Sequence, residues 1–229
     1  MIEQILPPQV VAVDTREDIL DVELFPAERA ALGRAVEKRR REFTTARACA
    51  REALARLGLP PAPIASGERG EPCWPEGVLG SITHCAGYRG CALARAEELA
   101  GLGIDAEPNG PLPAGVLADV ACPQERAMLA ELALREPAVH WDRLLFCAKE
   151  AIYKVWFPLA RSWLGFEDAL LTIEAPAGGS ATGAFHAQLL VPGPAVDGRP
   201  LVATSGHWLA RDGLLLAAIA LLRDGSRQG

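Results

Sequence analysis

The segment at residues 101–108, GLGIDAEP, places two carboxylates at the end of a short apolar strand. Residues two apart on a strand point to the same face, so the side chains of Asp105 and Glu107 converge. Two neighbouring carboxylates repel each other, which raises at least one pKa, unless a hard cation such as Mg²⁺ accepts both as oxygen ligands. A D-x-E sequence also ends many strands as a solvated turn. The segment alone leaves the metal site and the turn equally open.

Composition limits the classes of protein to which the chain can belong. Its 229 residues, 50% of them hydrophobic, can bury the core of one large domain or of two small, closely packed ones. We see no CxxC pair, no hydrophobic leader and no apolar run long enough to span a bilayer, so we expect a reduced cytoplasmic protein without a membrane partner. The formal net charge of −6 argues against nucleic acid as a partner. An anionic ligand would therefore need a local cluster of cations.

Residues 26–58 predict one long helix or two successive helices, with Pro26 in the first turn and Gly58 as the C-cap. At about 100° per residue, one narrow apolar stripe of this segment would pack on the core. The stripe consists of Leu32, Val36, Phe43, Ala50, Leu54 and Leu57. This segment is therefore expected to lie at the protein surface with one face buried.

Several arginines accompany this stripe. Arg39 falls inside it and Arg47 at its edge, whereas Arg40, Arg41 and Arg51 turn outward. Arginine stays charged and is costly to bury unless an anion meets it. Arg39 and Arg47 therefore either grip a phosphate together or snorkel along the core, and a helix break near Arg39 would also explain its position.

A loop and three strands follow in the first half of the chain. Residues 60–75 predict a loop in which Arg69 lies beside glycines that let the backbone approach a ligand closely. Strands are expected at residues 79–84, 90–96 and 101–108. His84 ends the first of these strands. A lone histidine is more often structural than functional, and the spacing of His84 to Cys85 and Cys91 does not fit a metal site.

The second half begins at a proline- and glycine-rich connector, residues 109–123, which predicts a boundary between residues 1–108 and 109–229. Helices are expected at residues 124–135 and 138–157, and strands at residues 170–174, 185–191, 201–208 and 213–222. Residues 178–183 and 192–200 are expected to be hairpin loops. Both halves run from helix to strands. This order predicts an α+β fold of two similar halves with an internal pseudo-twofold axis in a monomer, although no residue-level repeat is visible.

The longer helix of the second half, which we expect Pro158 to end, carries three charged residues of interest. Its buried stripe consists of Trp141, Leu145, Ala148, Ile152 and Trp156. Lys149 lies on the border of this stripe, and Glu150 and Lys154 point to another side. Glu150 and Lys154 form an i, i+4 pair, so an exposed salt bridge of about 0.2–0.5 kcal/mol explains them as well as a functional role does.

Three segments occur in the order and at about the separation of the signatures of a known family. They are GSITH at residues 80–84, GIDAEP at residues 103–108 and FCAKEAIYKVW at residues 146–156. They resemble the 4′-phosphopantetheinyl transferases that activate surfactin- and enterobactin-type synthetases. The further blocks RRREFTTARACAR, GEPCWP, HCAGYRG and WLGFED resemble the actinobacterial, including mycobacterial, members of this family over nearly the whole chain.

The resemblance implies a pseudo-dimeric 4′-phosphopantetheinyl transferase fold with coenzyme A (CoA) bound between the halves. It implies transfer of the phosphopantetheine arm of CoA to a serine of an apo acyl or peptidyl carrier protein, with release of adenosine 3′,5′-bisphosphate. Carriers of fatty-acid, polyketide and nonribosomal peptide synthases are the expected partners. Two alternatives remain open: a Mg²⁺-dependent CoA or nucleotide pyrophosphatase, and a non-catalytic module that binds carrier proteins.

The resemblance also implies roles for individual residues. Mg²⁺, or Mn²⁺ in its place, would be bound by Asp105, Glu107, Glu150 and the backbone carbonyl of Ala106. Glu150 would act as the general base, and the catalytic lysines Lys149 and Lys154 would neutralise the pyrophosphate. The implied CoA-binding set is Arg39, Arg47, Ser66, Gly67, Glu68, Arg69, Thr83, His84, Asp105, Lys149, Glu150, Lys154 and Trp163. Because relatives carry lysine at the position of Ser66, we expect that contact to be lost or replaced by Arg69.

Overall fold

The computed structural model describes residues 1–176 and 180–223, in which the chain passes twice from helix to sheet. The first half contains a 3₁₀ helix (Ile2–Ile5), β1 (Val11–Thr15), α1 (Pro26–Leu32), α2 (Glu37–Arg56), β2 (Ala65–Ser66), β3 (Pro72–Cys73), β4 (Val78–Cys85), β5 (Tyr88–Arg95) and β6 (Leu99–Pro108). The second half contains α3 (Val116–Val120), α4 (Pro123–Arg135), α5 (Trp141–Ala160), a 3₁₀ turn (Phe166–Asp168), β7 (Ala169–Ile173), β8 (Thr182–Leu189), β9 (Ala195–Val196), β10 (Arg199–Pro200), β11 (Ala203–Arg211) and β12 (Leu214–Leu222).

An antiparallel sheet of three strands, in the order β1-β5-β4, lies in the first half. Its central strand, β5, is buried from Tyr88 to Ala94, which fits a strand with neighbours on both sides. The twenty-residue helix α2 packs on this sheet, where its Ala50 and Leu54 join Leu93 in one apolar cluster. The apolar stripe on α2 thus forms this part of the core.

A larger antiparallel sheet, in the order β6-β12-β11-β8-β7, combines β6 of the first half with four strands of the second half. The twenty-residue helix α5 packs against it, and the ring of Trp141 meets that of Trp208 edge-on at a centroid distance of 5.3 Å. Each half therefore has one long helix on an antiparallel sheet. The α+β class is confirmed.

Strand β6 connects the two sheets. Its Asp105 lies opposite Ala217 of β12, so β6 is an edge strand of the larger sheet. Toward the smaller sheet, the backbone N–H of Ile104 donates to Ser81 Oγ of β4 at 3.0 Å. The division of the chain between residues 108 and 109 stays a prediction, and β6 lies before that point while pairing within the second sheet.

The predicted strands all form, with ends shifted by at most three residues. Residues 192–200 hold the short hairpin β9–β10 inside the predicted loop. Strand β8 begins at Thr182, within the predicted loop at residues 178–183, of which residues 178 and 179 lie outside the described residues. Pairing with β11 accounts for this early start, since Thr182 lies opposite Leu209.

Helix boundaries differ more from the sequence-based expectation. Residues 26–58 form two helices because the chain turns at Gly33, where φ is +48°. Val36 was predicted to be buried, and this is wrong: it is the N-cap of α2 and 73% exposed. The outward direction predicted for Arg51 is also wrong, because its guanidinium pairs with the fully buried carboxylate of Glu28.

The predicted end of the second long helix at Pro158 is wrong as well. Helix α5 continues to Ala160 and ends at Arg161, whose backbone is left-handed with φ of +53°. Proline in a helix removes one hydrogen bond to the carbonyl four residues earlier. Because Pro158 lies in the last turn, the helix loses little from that missing bond.

None of the helices within residues 1–176 and 180–223 is long and apolar enough to cross a membrane. The six cysteines are free, and Cys91 and Cys147 are fully buried. Burial raises the pKa of both buried thiols well above the ordinary value. Thiols in such surroundings are poor nucleophiles, so these two cysteines serve packing.

Glycine in β6 lets helix α5 approach the strand closely. A Cβ atom on Gly103 would overlap the carbonyl oxygen of Ala151 and lie 2.8 Å from Cγ2 of Val155. Gly103 and Asp105 are two residues apart, so they share the face that meets α5. The close approach therefore brings the polar side of α5, which carries Lys154, to the Asp105 carboxylate.

We expect Gly103→Ala to lower the free energy of unfolding by about 1–3 kcal/mol, because the added methyl group forces backbone to move in a packed core. Gly110→Ala is the matched control, since a Cβ there meets nothing within 4 Å. The control should change the free energy by less than about 0.5 kcal/mol. Urea denaturation of both variants tests the prediction, and equal stability would contradict it.

Candidate active site

A cavity of about 720 Å³ lies between α2, the loop around β2 and β3, strands β4 and β6, and α5. Most of the residues that the sequence predicted as a site line it. These are Arg39, Arg47, Ser66, Arg69, Thr83, His84, Asp105, Glu150 and Lys154. Residues far apart in sequence thus meet in one place, because both long helices and the linking strand β6 border the same space.

The Asp105 carboxylate is the most constrained group of this cavity. It is buried, with the residue 6% exposed. Its Oδ1 accepts hydrogen bonds from Lys154 Nζ at 2.8 Å and from Thr83 Oγ1 at 3.1 Å. Its Oδ2 is buried without a hydrogen-bond partner among the described residues. A buried carboxylate oxygen without a partner is costly, so this atom points to a ligand that completes it.

Lys154 is held by protein acceptors on β4 and β6. Besides the Asp105 carboxylate, its Nζ donates to the carbonyl of Ile82 at 3.1 Å and to that of Ile104 at 3.0 Å. All three ammonium protons therefore have acceptors. Its side chain is 27% exposed and lines the cavity, so its charge still acts on anything bound there. The exposed Glu150–Lys154 salt bridge considered from sequence does not form; Lys154 pairs with Asp105 instead.

The other two acids of the predicted metal site are Glu107, on β6 like Asp105, and Glu150, on α5. Glu107 Oε2 accepts a hydrogen bond from Arg143 Nη1 at 3.0 Å. Burial and the Asp105 charge raise the pKa of Glu107, and Arg143 opposes this rise. Burial and the Asp105 charge also raise the pKa of Glu150, against the effect of Lys154. The negative charge of Asp105 thus contributes to the raised pKa of both Glu107 and Glu150.

These acids are not drawn together into a metal centre in this arrangement. Among residues 1–176 and 180–223, no group of three or more His, Cys, Asp or Glu side chains is placed to hold a metal ion. Arg143 accounts for part of this, since it binds Glu107 and also donates to the carbonyl of Pro111 at 2.7 Å. The metal ligands Asp105, Ala106, Glu107 and Glu150 stay predictions.

Arg39 and His84 form a polar pair at the edge of the cavity. Arg39 Nη1 donates to His84 Nε2 at 2.9 Å, and His84 Nδ1 lies 3.7 Å from Glu42 Oε2. Burial lowers the pKa of His84, and the Arg39 charge adds to this effect against that of Glu42. Arg39 is exposed, so its predicted place on the apolar stripe is wrong: α2 begins only two residues earlier, and residues 37–41 are all exposed.

Arg47, which the sequence placed at the edge of the stripe, is buried and 5% exposed. Its guanidinium lies 4.0 Å from the ring centroid of Phe43, and its Nε donates to the carbonyl of Ile64 at 3.0 Å. Its Nη2 reaches Ser66 Oγ at 3.4 Å. Burial lowers the pKa of Arg47 to about 10. Hydrogen bonds and the Phe43 ring thus stabilise the buried guanidinium of Arg47, which also lines the cavity.

Lys149 is buried with partners from the protein itself, so its burial does not require a phosphate, and its catalytic role stays a prediction. Its Nζ donates to Glu125 Oε2 at 2.9 Å and to the carbonyls of Val120 at 2.9 Å and Phe166 at 2.7 Å. The side chains of Lys149 and Glu125 are 3% and 0% exposed. This buried ion pair joins α5 to α4.

A second cavity of about 390 Å³ adjoins the first. Trp163 and Lys149 line it, and Arg69, Glu150 and Tyr153 border both cavities. The Trp163 ring lies 5.1 Å from that of Tyr153, and the residue is 66% exposed. Tyr153, Trp163 and Phe166 thus give this second cavity an aromatic lining.

The remaining predicted residues lie outside the wall of the larger cavity. Glu68 is exposed on the loop between β2 and β3, Gly67 packs against Glu71, and Ala106 is buried in β6 opposite Leu216. Their predicted roles in binding CoA or metal stay predictions.

Several residues that the sequence analysis missed shape the site. Glu28 accepts from the backbone N–H of Ile64 at 3.0 Å and so holds the start of the loop that carries Ser66. Arg161 and Glu71 line the larger cavity. The block GEPCWP contains Glu71, but no periodicity marks Arg161 or pairs Glu28 with the loop, because these contacts join residues far apart in sequence.

Comparisons with known proteins identify the family of this chain. Residues 27–94 match the family described as "4'-phosphopantetheinyl transferase N-terminal domain", and residues 101–191 match the "4'-phosphopantetheinyl transferase superfamily". The 4'-phosphopantetheinyl transferase Svp of Streptomyces mobaraensis is 54% identical over 225 residues, which cover 96% of this chain and 89% of Svp. Npt of Nocardia iowensis is 52% identical, covering 96% of this chain and 99% of Npt. PptT of Mycobacterium tuberculosis is 47% identical, covering 96% of this chain and 98% of PptT.

The fold, the cavity and these relatives together define a transferase. The chain belongs to the 4′-phosphopantetheinyl transferase superfamily. The resemblance seen in the three sequence signatures is thereby confirmed. The relatives support the transferase and neither the pyrophosphatase nor the non-catalytic module.

We expect Lys149→Met to lower the free energy of unfolding by about 3–5 kcal/mol, because it leaves the buried Glu125 carboxylate without its counter-charge. The double variant Lys149→Met/Glu125→Gln should recover part of this loss. Lys38→Met is the control, since its side chain is 81% exposed, and should change stability by less than about 0.5 kcal/mol. Guanidinium denaturation measures all three. A Lys149→Met protein as stable as the parent would show that the pair is not structural.

Proposed function

We propose that this transferase moves the phosphopantetheine arm of CoA to a serine of an apo carrier protein at the Asp105 carboxylate, with CoA in the cavity between α2 and α5. One observation carries this location: Asp105 Oδ1 is fixed by Lys154 and Thr83, whereas its buried Oδ2 has no partner among the described residues. The family implies CoA as substrate and apo carrier proteins as partners.

The carboxylates of this site fit a Mg²⁺ ion. Mg²⁺ prefers carboxylate oxygens and is commonly held by one or two of them together with substrate phosphates. We propose Asp105, Glu107 and Glu150 as the protein ligands, with the carbonyl of Ala106 as a further one and Mn²⁺ as a substitute. A bound ion would satisfy the unpartnered Asp105 Oδ2 and offset the repulsion that raises the pKa of Glu107 and Glu150. When bound, it supplies positive charge to the pyrophosphate.

The cations around the cavity fit the rest of CoA. Arg39 and His84 at the edge are suited to the 3′-phosphate, and Arg47 and Arg69 to the other nucleotide phosphates. Lys154 faces the same space and is suited to the pyrophosphate. The adjoining cavity beside Trp163 has room for the pantetheine arm.

The chemistry is a displacement at the β-phosphorus of CoA. The serine oxygen forms a bond to this phosphorus, and the bond between the phosphorus and the bridging oxygen breaks, so adenosine 3′,5′-bisphosphate leaves with that oxygen. Glu150, beside Asp105 on the cavity wall, takes the serine proton directly or through water. Lys154 and the arginines stabilise the charge that develops on the phosphate oxygens.

The partners and setting follow from the same features. The cavity is formed within one chain, which supports a monomer, and six free cysteines fit the reducing cytoplasm. We propose carriers of fatty-acid, polyketide and nonribosomal peptide synthases as partners, and a panel of these apo carriers assayed for the mass added from CoA would rank them.

We expect Asp105→Asn to reduce transfer at least about a hundredfold, because it removes a proposed metal ligand, and losing one preorganised electrostatic contact to a transition state costs about 2.7–4 kcal/mol. It should also abolish Mn²⁺ binding followed by electron paramagnetic resonance, a readout that needs no turnover. Glu131→Gln, which removes an exposed carboxylate of α4, is the control. Normal turnover of Asp105→Asn would mean that this carboxylate is not at the centre of the reaction.

Arg39→Ala should raise the KM for CoA roughly ten- to hundredfold, since a charge-assisted hydrogen bond to phosphate is worth about 1.5–3 kcal/mol. The KM for 3′-dephospho-CoA should stay unchanged, because this substrate lacks the phosphate that Arg39 holds. Arg56→Ala is the control, as Arg56 lies on the same helix and pairs with Glu52. A similar rise for both substrates would contradict the assignment to the 3′-phosphate.

A further inference from the structure

One acidic residue ties the two sides of the larger cavity together. Glu71 Oε1 accepts a hydrogen bond from Arg161 Nη1 at 3.0 Å, and Oε2 accepts one from the backbone N–H of Arg69 at 3.0 Å. Glu71 stands on the loop around β2 and β3, whereas Arg161 follows the last residue of α5. Arg69, Glu71 and Arg161 all line the cavity. The hydrogen bond between Glu71 and Arg161 therefore joins the first half of the chain to the second half at the cavity.

The loop is built around this carboxylate. The backbone N–H of Gly67 donates to the carbonyl of Glu71 at 2.7 Å. A Cβ atom on Gly67 would overlap the Glu71 carboxylate, so the absence of a side chain there makes room for it. The Glu71 side chain is 18% exposed, which is low for an acid on a surface loop. Its position is thus fixed by the fold of the loop.

Arg161 stands where the backbone favours glycine. It is the C-cap of α5 with φ of +53° and ψ of +26°, a left-handed conformation that most side chains disfavour. Its guanidinium lies 5.8 Å from the ring centroid of Phe157, and that of Arg69 lies 5.9 Å from the same ring. A non-glycine residue in such a conformation is a reason to look for a role of its side chain.

We propose that Glu71 and Arg161 are positioning residues, whose ion pair (the Glu71–Arg161 latch) holds the loop and its Arg69 at the right distance from α5 for CoA to bind. This rests on the proposed function, in which Arg69 contacts the nucleotide phosphates. Neither latch residue touches the reacting atoms. Losing the latch therefore weakens the binding of CoA and leaves the chemical step unchanged.

Hydrogen exchange in the ligand-free protein tests the latch without any turnover. In Glu71→Gln and Arg161→Gly, the amides of residues 67–71 should exchange faster than in the parent, because the loop loses its anchor on α5. The Glu52→Gln variant removes a comparable pair, Arg56 Nε to Glu52 Oε1 at 3.0 Å on α2, and should leave this loop unchanged. Unchanged exchange of residues 67–71 in both latch variants would overturn the proposal even if the proposed function holds.

Kinetics of a double-mutant cycle provide the second test. Each single variant should raise the KM for CoA roughly two- to fivefold, the size expected for a partly exposed ion pair, with kcat changed less than about twofold. The double variant Glu71→Gln/Arg161→Gly should have a KM no higher than the larger single effect, because both changes break the same pair. Multiplying effects, or a fall in kcat at unchanged KM, would overturn the latch.

The Arg161→Gly variant also separates positioning from stability. Glycine relieves the left-handed backbone, so the melting temperature should stay the same or rise while the KM for CoA increases. A melting temperature that falls in step with the loss of CoA binding would instead assign Arg161 a structural role only. If exchange and KM respond as expected while Asp105→Asn keeps its activity, the latch stands and the proposed reaction centre is wrong.

Discussion

The close approach of helix α5 to strand β6 is the constraint on which the rest of the site depends. Gly103 leaves no side chain between the strand and the carbonyl of Ala151, so Lys154 can reach the Asp105 carboxylate and two carbonyls beside it. The salt bridge in turn fixes the Asp105 carboxylate. Its Oδ1 accepts hydrogen bonds, whereas its Oδ2 has no hydrogen-bond partner among the described residues. In the proposed function a metal ion completes this second oxygen, which would link the packing of α5 to the chemistry of the transferase.

The positive charges of the molecule divide into two kinds. Lys149 and Arg51 lie opposite buried glutamates and serve the fold. Arg39 and Arg69 are exposed at the cavity, where an anionic substrate can reach them. In the proposed function, exposed cations such as Arg39 and Arg69 would let an acidic chain bind a phosphate-rich substrate, because local positive charge offsets the overall negative charge.

Sequence patterns within one helix or strand predicted the elements well, whereas the contacts between elements could not be predicted from the sequence. Alternation and turns located every strand of the larger sheet, and the signature residues Asp105, Glu150 and Lys154 do line one cavity. The burial of Lys149 was misread because its partner, Glu125, lies 24 residues away on another helix. Helical periodicity could not reveal that Val36 begins a helix, since the break at Gly33 depends on backbone conformation. The predicted metal ligation likewise depends on how side chains from β6 and α5 adjust to an ion.

Crystals of the protein with CoA and Mn²⁺, measured at the manganese absorption edge, would test the central claim most directly. We expect one anomalous peak in the larger cavity, bound by Asp105, Glu107 and Glu150 and by oxygens of the CoA pyrophosphate, with Arg143 released from Glu107. Mg²⁺ at the same position should have ligand distances of about 2.0–2.1 Å. A peak away from Asp105, or CoA bound outside this cavity, would contradict the account.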